Sequence, residues 1–332
     1  MRRRGMLLAL SGMAWAGAAK AQPDWRRVPV PLVSADAYLH ALYERWYAPR
    51  AKDFEQAAKA LHDVLRQHCT QGSLPAARQA WVAAMTAWER LNAVPIGPLV
   101  ERRSARRIDF MPARPASIER AVREGAADMA LVGGPAKGLP ALEWLLWQAA
   151  PAPGAPACDF AQRAAADVAE EAAALVAAFS VTPEWSVDAQ PAAFGELLNQ
   201  FVGAVETLRW AQIDKPLKEG KRQFPRAASG ATAAAWAARW QALRTLAVFD
   251  GTAADAPVSL EAYLRGRGLN PLADGLRGAV QRSGQALEGA TPERPQALAR
   301  PVRELGTLKH QLETQVAPAL KVSIGFSDSD GD

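Results

Sequence analysis

The stretch SLPAARQAWVAAMTAWERLN, residues 73–92, decides the fold class. From Leu74 onward the apolar residues Ala77, Trp81, Ala84, Met85, Trp88 and Leu91 recur every three or four positions. That spacing puts them on one face of an α-helix. Ser73 stands where an N-cap belongs, and Pro75 is tolerated in a first turn. The same rhythm returns in Phe194, Leu197, Leu198, Phe201, Val205 and Leu208. No segment alternates as a strand does between hairpin turns, and alanine, the best helix former, is abundant. The patterns predict an all-α protein.

On the N-terminal side a long helical segment is expected from about residue 34 to 69, kinked at Pro49. After residue 92 comes an irregular Pro- and Arg-rich stretch, 93–115, and then helices near 116–129, 139–149 and 159–180. Residues 181–193 contain Pro183, Trp185 and Pro191 and read as a linker. Beyond it, helices are expected near 194–212, 231–248, 258–266, 271–288 and 297–317. The halves echo each other: Trp81, Met85, Trp88, Leu91 and Gly97 align with Trp236, Trp240, Leu243, Leu246 and Gly251, with one residue of slippage. The expected organisation is therefore two helical bundles, 22–182 and 190–332, resembling a duplicated four-helix-bundle unit.

At 332 residues, 49% hydrophobic and 22% charged, the composition excludes disorder over most of the length. The first 21 residues read separately. Arg2, Arg3 and Arg4 precede an apolar run from Met6 to Ala19, and Ala19-Lys20-Ala21 presents small residues to a signal peptidase. This is a secretory signal peptide with cleavage expected after Ala21 and no lipoprotein cysteine; the general secretory route is expected over twin-arginine export. No run of about 20 apolar residues follows, so no transmembrane span is expected in the mature form. The leader carries Arg2, Arg3, Arg4 and Lys20 and no acid, so 39 − 4 = 35 cations face 34 anions in the mature chain. A near-neutral protein gives no reason to expect nucleic acid as a partner. In an oxidising compartment Cys69 and Cys158 are either a bridge or two separate buried thiols.

The four histidines, His40, His62, His68 and His310, form no metal or catalytic pattern, and there is no HExxH, CxxC or phosphate loop. The segment Gly138-Leu139-Pro140-Ala141-Leu142-Glu143-Trp144-Leu145-Leu146-Trp147 stands out. Glu143 is its sole polar side chain, and a carboxylate buried there needs an arginine, a hydrogen-bond network or a metal ion. Glu89, beside Trp88, and the residues Glu101, Arg102, Arg103, Arg106, Arg107, Asp109 and Arg114 lie within reach in sequence. Either one arginine neutralises Glu143 inside a bundle, or several of these groups line a polar pocket.

Gly138-Leu139-Pro140-Ala141-Leu142-Glu143, Trp81…Trp88-Glu89 with Gly97-Pro98, and Arg107-Ile108-Asp109-Phe110-Met111-Pro112 resemble motifs of the imelysin family. So do Phe194-Gly195…Leu198-Asn199…Glu206-Thr207-Leu208, Lys215-Pro216-Leu217 and the closing Gly325-Phe326…Asp330-Gly331-Asp332. The resemblance implies a periplasmic or envelope protein of two helical bundles, a binding or accessory component in iron acquisition. Its partners would be iron, an iron-bearing ligand or an envelope protein of an iron-uptake system. The family's nominal class, the M75 metallopeptidases, supplies the alternative of a peptidase, and a non-catalytic envelope interaction module is the third reading. The resemblance places Glu143, Glu89, Asp109 and Arg106 together in the first bundle, with Glu143 and Glu89 as ligands of an iron or other divalent cation. One position departs from the family's Gly-x-His-x-x-Glu pattern: Pro140 stands where the His belongs, and proline has no ligating atom.

Overall fold

The computed structural model describes residues 32–219, 223–249 and 259–325. The leader, Gly251 and the acidic tail from Phe326 lie outside these residues. No strand occurs among the described residues, and helices cover most of the stretches the periodicity marks, but Pro115–Arg123 stops short of residue 129 and two short helices, Pro98–Glu101 and Ser104–Ile108, fall inside the stretch expected to be irregular. In the first half Ala48–Gln71 packs against both Leu74–Leu91 and Pro156–Phe179, and Gly138–Trp144 closes on the latter. In the second half Asn270–Leu287 packs against Ala299–Gln311, Leu260–Gly266 and Thr232–Ala247. The buried apolar residues of both halves form one contiguous cluster, with Trp46, Trp81, Trp88 and Trp236 among its largest members. The two tryptophan-bearing helices, Leu74–Leu91 and Thr232–Ala247, pack against each other.

The first helix crosses between the halves. Ser34 caps it through its hydroxyl, which accepts from the Ala37 N–H at 3.1 Å. Tyr38 then sits among Phe194 and Tyr263 of the second half, at ring centroid distances of 5.7 and 5.0 Å. Ser73, by contrast, makes no capping bond from its side chain.

Proline shapes the long helices in a repeated way. The kink expected at Pro49 is a π-helical turn, Tyr43–Tyr47, after which Ala48–Gln71 continues. Three more π-helical turns, Leu145–Ala149, Thr207–Asp214 and Leu312–Val316, also end two residues before a proline, at Pro151, Pro216 and Pro318. A proline has no N–H to donate, and its ring crowds the carbonyl four residues back. Widening the preceding turn removes that clash without ending the helix, except at Pro151, where Ala150 turns left-handed and the helix stops.

A disulfide joins Cys69, near the end of Ala48–Gln71, to Cys158 in the first turn of Pro156–Phe179, with Cα atoms 5.6 Å apart. Of the two readings open in the sequence, the bridge is the one realised.

Candidate functional site

Gly138 sets the geometry of the motif helix. Its φ of +73° is left-handed, and a Cβ there would collide with the backbone carbonyl of Ile108. The absent side chain lets Gly138–Trp144 begin directly against the 104–109 segment. Two tryptophans of Leu74–Leu91 hold this arrangement: the Trp81 indole N–H donates to the Leu139 carbonyl at 2.9 Å, and that of Trp88 to the Asp109 carboxylate at 3.0 Å. Glu89 and Glu143 are thereby buried, 2% and 5% exposed, with Asp109 beside them.

The cation that meets these carboxylates comes from the second half. Arg226, 2% exposed, lies in the turn before Thr232–Ala247. Its Nη2 reaches both Asp109 oxygens at 2.6 and 2.7 Å and Glu89 Oε1 at 3.4 Å. Arg239 donates to Glu89 Oε2 at 3.0 Å through Nε and 2.9 Å through Nη2. Glu143 Oε1 accepts from the Ser229 backbone N–H at 2.9 Å and its hydroxyl at 2.7 Å. Burial works against the Arg226 charge, but Asp109, Glu89 and Glu143 outweigh it and hold its pKa above the ordinary arginine value. Arg226 keeps a left-handed φ of +64°, a strain of roughly 1–2 kcal/mol that the surrounding ion pairs offset.

The structure thus brings together Glu143, Glu89 and Asp109, and corrects the fourth member of the set. Arg106 is exposed on Ser104–Ile108, away from the carboxylates. Neighbours on a helix point about 100° apart, so Arg107 turns toward Pro156–Phe179 while Arg106 turns to solvent. Arg226, Arg239 and Ser229 carry no motif in sequence; among more than thirty cations nothing singles out the two arginines.

The cations of the Arg-rich stretch serve another cluster. Arg102 and Arg107 both bind Glu171, at 2.9 and 3.0 Å, and the Ser104 hydroxyl donates to the same carboxylate at 2.7 Å. Arg107 also binds Asp167 at 2.7 Å, with Lys137 3.4 Å away on its other oxygen. Burial alone would raise the Glu171 carboxyl; the hydrogen bonds from Arg102 and Ser104, with both arginine charges, outweigh it and lower its pKa. A lowered carboxyl pKa contributes stability at neutral pH that is lost as pH falls through that lowered value. Melting temperature should accordingly fall more steeply on acidification in the parent than in Glu171→Gln, measured by circular dichroism from pH 7 to 3.

The carboxylates around Arg226 do not suit a metal ion. Both oxygens of Glu89 and both of Asp109 are taken by guanidinium groups, Glu143 is held by Ser229, and Pro140 offers no ligand. No group of three or more His, Cys, Asp or Glu arranged to hold a metal occurs among the described residues. A zinc hydrolase site needs about three protein ligands with free lone pairs, whereas Glu89, Asp109 and Glu143 are engaged by Arg226, Arg239 and Ser229.

Fold and site define an all-helical protein whose halves meet through buried carboxylate–guanidinium pairs. The imelysin family model (Peptidase_M75) matches residues 39–317, and the chain belongs to that family. Two solved structures share its fold. An imelysin-like protein from Psychrobacter arcticum 273-4 superimposes with a TM-score of 0.72 at 19% identity, covering 90% of this chain and 100% of its own. A structure assigned as an iron-regulated protein A precursor from Parabacteroides distasonis ATCC 8503 gives 0.63 at 14% identity, covering 89% and 97%. No protein of curated function matches significantly.

Proposed function

We propose that this chain is an exported, non-catalytic imelysin-type protein that serves iron acquisition as a binding or accessory component of the periplasm. The observation that carries the non-catalytic part is the engagement of Glu89, Asp109 and Glu143 by donors of the chain itself. With those oxygens occupied, the cluster seats the two bundles, and the protein acts through an iron-bearing ligand or an envelope partner rather than through an iron ion held there. Export is supported by the basic start, the short apolar run and Ala19-Lys20-Ala21. The Cys69–Cys158 bridge fits the same oxidising compartment. No helix among the described residues is long and apolar enough to cross a membrane. The link to iron draws on the name of the Parabacteroides relative, an iron-regulated protein precursor.

Deleting the gene from its source cells should slow growth under iron limitation and leave iron-replete growth unchanged. Complementation with Glu143→Gln should restore it, because a glutamine still accepts from Ser229, at a cost of about 1 kcal/mol for the lost charge assistance. N-terminal sequencing of the exported protein should begin at Gln22. An iron-independent phenotype, or peptide hydrolysis abolished by Glu143→Gln, would overturn the reading.

A further inference from the structure

Two arginines at the seam between the halves have no carboxylate to answer them. Arg50, in the first turn of Ala48–Gln71, lies half-buried over the Trp46 ring, its guanidinium carbon 4.1 Å from the ring centroid. Its Nη1 donates to the Trp46 carbonyl at 2.9 Å, and its Nη2 to the Thr245 hydroxyl of the second half at 3.2 Å. The Trp46 indole N–H donates to the same Thr245 oxygen at 3.0 Å and fixes it there. Both acceptors of the guanidinium are neutral. A charge drawn out of water is ordinarily offset by an opposite one, yet Arg50 makes no ion pair among the described residues.

The nearest charge that the fold brings up is a second cation. Ala48–Gln71 and Leu74–Leu91 run antiparallel across the turn at 72–73, and Phe54 meets Trp88 at a ring distance of 5.3 Å. One turn further out, Arg50 is level with the end of Leu74–Leu91, and Arg90 stands on that last turn. Arg90 is exposed and makes no hydrogen bond or ion pair among the described residues. Burial, and behind it the Arg90 charge, push the Arg50 pKa down to about 10, against the Tyr47 phenol and the exposed Asp53 carboxylate. Asp53 lies one turn along the helix, beyond ion-pair distance, so two positive charges face one negative.

The donors left over say what would settle between them. Arg50 spends two of its five N–H donors on Trp46 and Thr245 and keeps the other three, and Arg90 keeps all of its own. A guanidinium edge matches the paired oxygens of a carboxylate or a phosphate, and an anion between two such groups removes their repulsion. We propose that Arg50 and Arg90 together bind a small oxyanion, a phosphate or a carboxylate, at the seam between the halves. Because Arg50 is tied to Thr245, the bound anion closes on a contact that joins the two halves. The Glu143 cluster plays no part, since its carboxylates already have their donors. The proposal goes beyond the iron-related reading and stands independently of it.

Calorimetric titration of the mature protein with inorganic phosphate and, separately, with citrate tests it, at fixed ionic strength so that general screening stays constant. At least one of the two should bind saturably and raise the melting temperature. Binding of phosphate alone assigns a phosphate site, binding of citrate alone a carboxylate site, and binding of both a site open to either. Arg90→Gln, at an exposed position with no partner to lose, should weaken binding about tenfold. Arg106→Gln removes an equal charge from another exposed position and should leave binding unchanged. Binding of neither anion, binding undiminished in Arg90→Gln, or binding weakened equally in Arg106→Gln would overturn the proposal.

Discussion

Replacing Arg226 with methionine should cost roughly 3–5 kcal/mol of stability, the usual consequence of leaving buried carboxylates without their cation. Asp109 would lose its charged partner, and Glu89 would keep Arg239 alone. For a chain of this size the loss corresponds to a fall in melting temperature on the order of 10 °C. Arg226→Lys should recover little, since an ammonium has no planar fork to span two carboxylates. The further variant Arg226→Met with Asp109→Asn and Glu89→Gln should regain much of the loss, because the charges needing compensation are gone. Urea unfolding of the three variants measures this directly. A neutral Arg226→Met would mean that the carboxylates find another partner.

The disulfide carries the second large effect. Cys69 and Cys158 are 89 positions apart, so the bridge closes most of the first half into one loop. In the chain-entropy account a loop of that length is worth about 4 kcal/mol through restriction of the unfolded state. The double variant Cys69→Ala/Cys158→Ala should therefore melt well below the parent, with unchanged helix content at low temperature. Reduction of the parent should be slow, since Cys158 is fully buried and Cys69 nearly so. Equal melting temperatures for parent and double variant would remove the bridge from the account.

The helices were legible because burial on one face leaves a 3.6-residue rhythm in the chain, as in Trp81, Met85 and Trp88. Glu143 was legible for the opposite reason, as a lone carboxylate in an apolar run. Its surroundings were less so. Arg226 reaches Asp109 across 117 residues, and Arg239 reaches Glu89 across 150. No local pattern records a contact of that range. Arg106 joins the set through the family resemblance, and the turn of a single short helix sends it to solvent. The four π-helical turns show the converse. Pro49, Pro151, Pro216 and Pro318 announce a disturbance in the helix before them, but whether it becomes a kink, a stop or a widened turn depends on what packs around it.

The central claim is that the motif carboxylates are satisfied by the protein's own donors, Arg226, Arg239 and Ser229, and not by a metal. A ligand that binds the folded state raises its stability by an amount set by concentration over Kd, about 2.7 kcal/mol at a hundredfold excess. The decisive measurement is the melting temperature of the mature protein after chelation, compared with the same protein in excess iron(II), zinc or calcium. The account predicts that these melts coincide, and that they coincide equally in Glu143→Gln. A rise of several degrees with any of the three ions, abolished by Glu143→Gln, would contradict it.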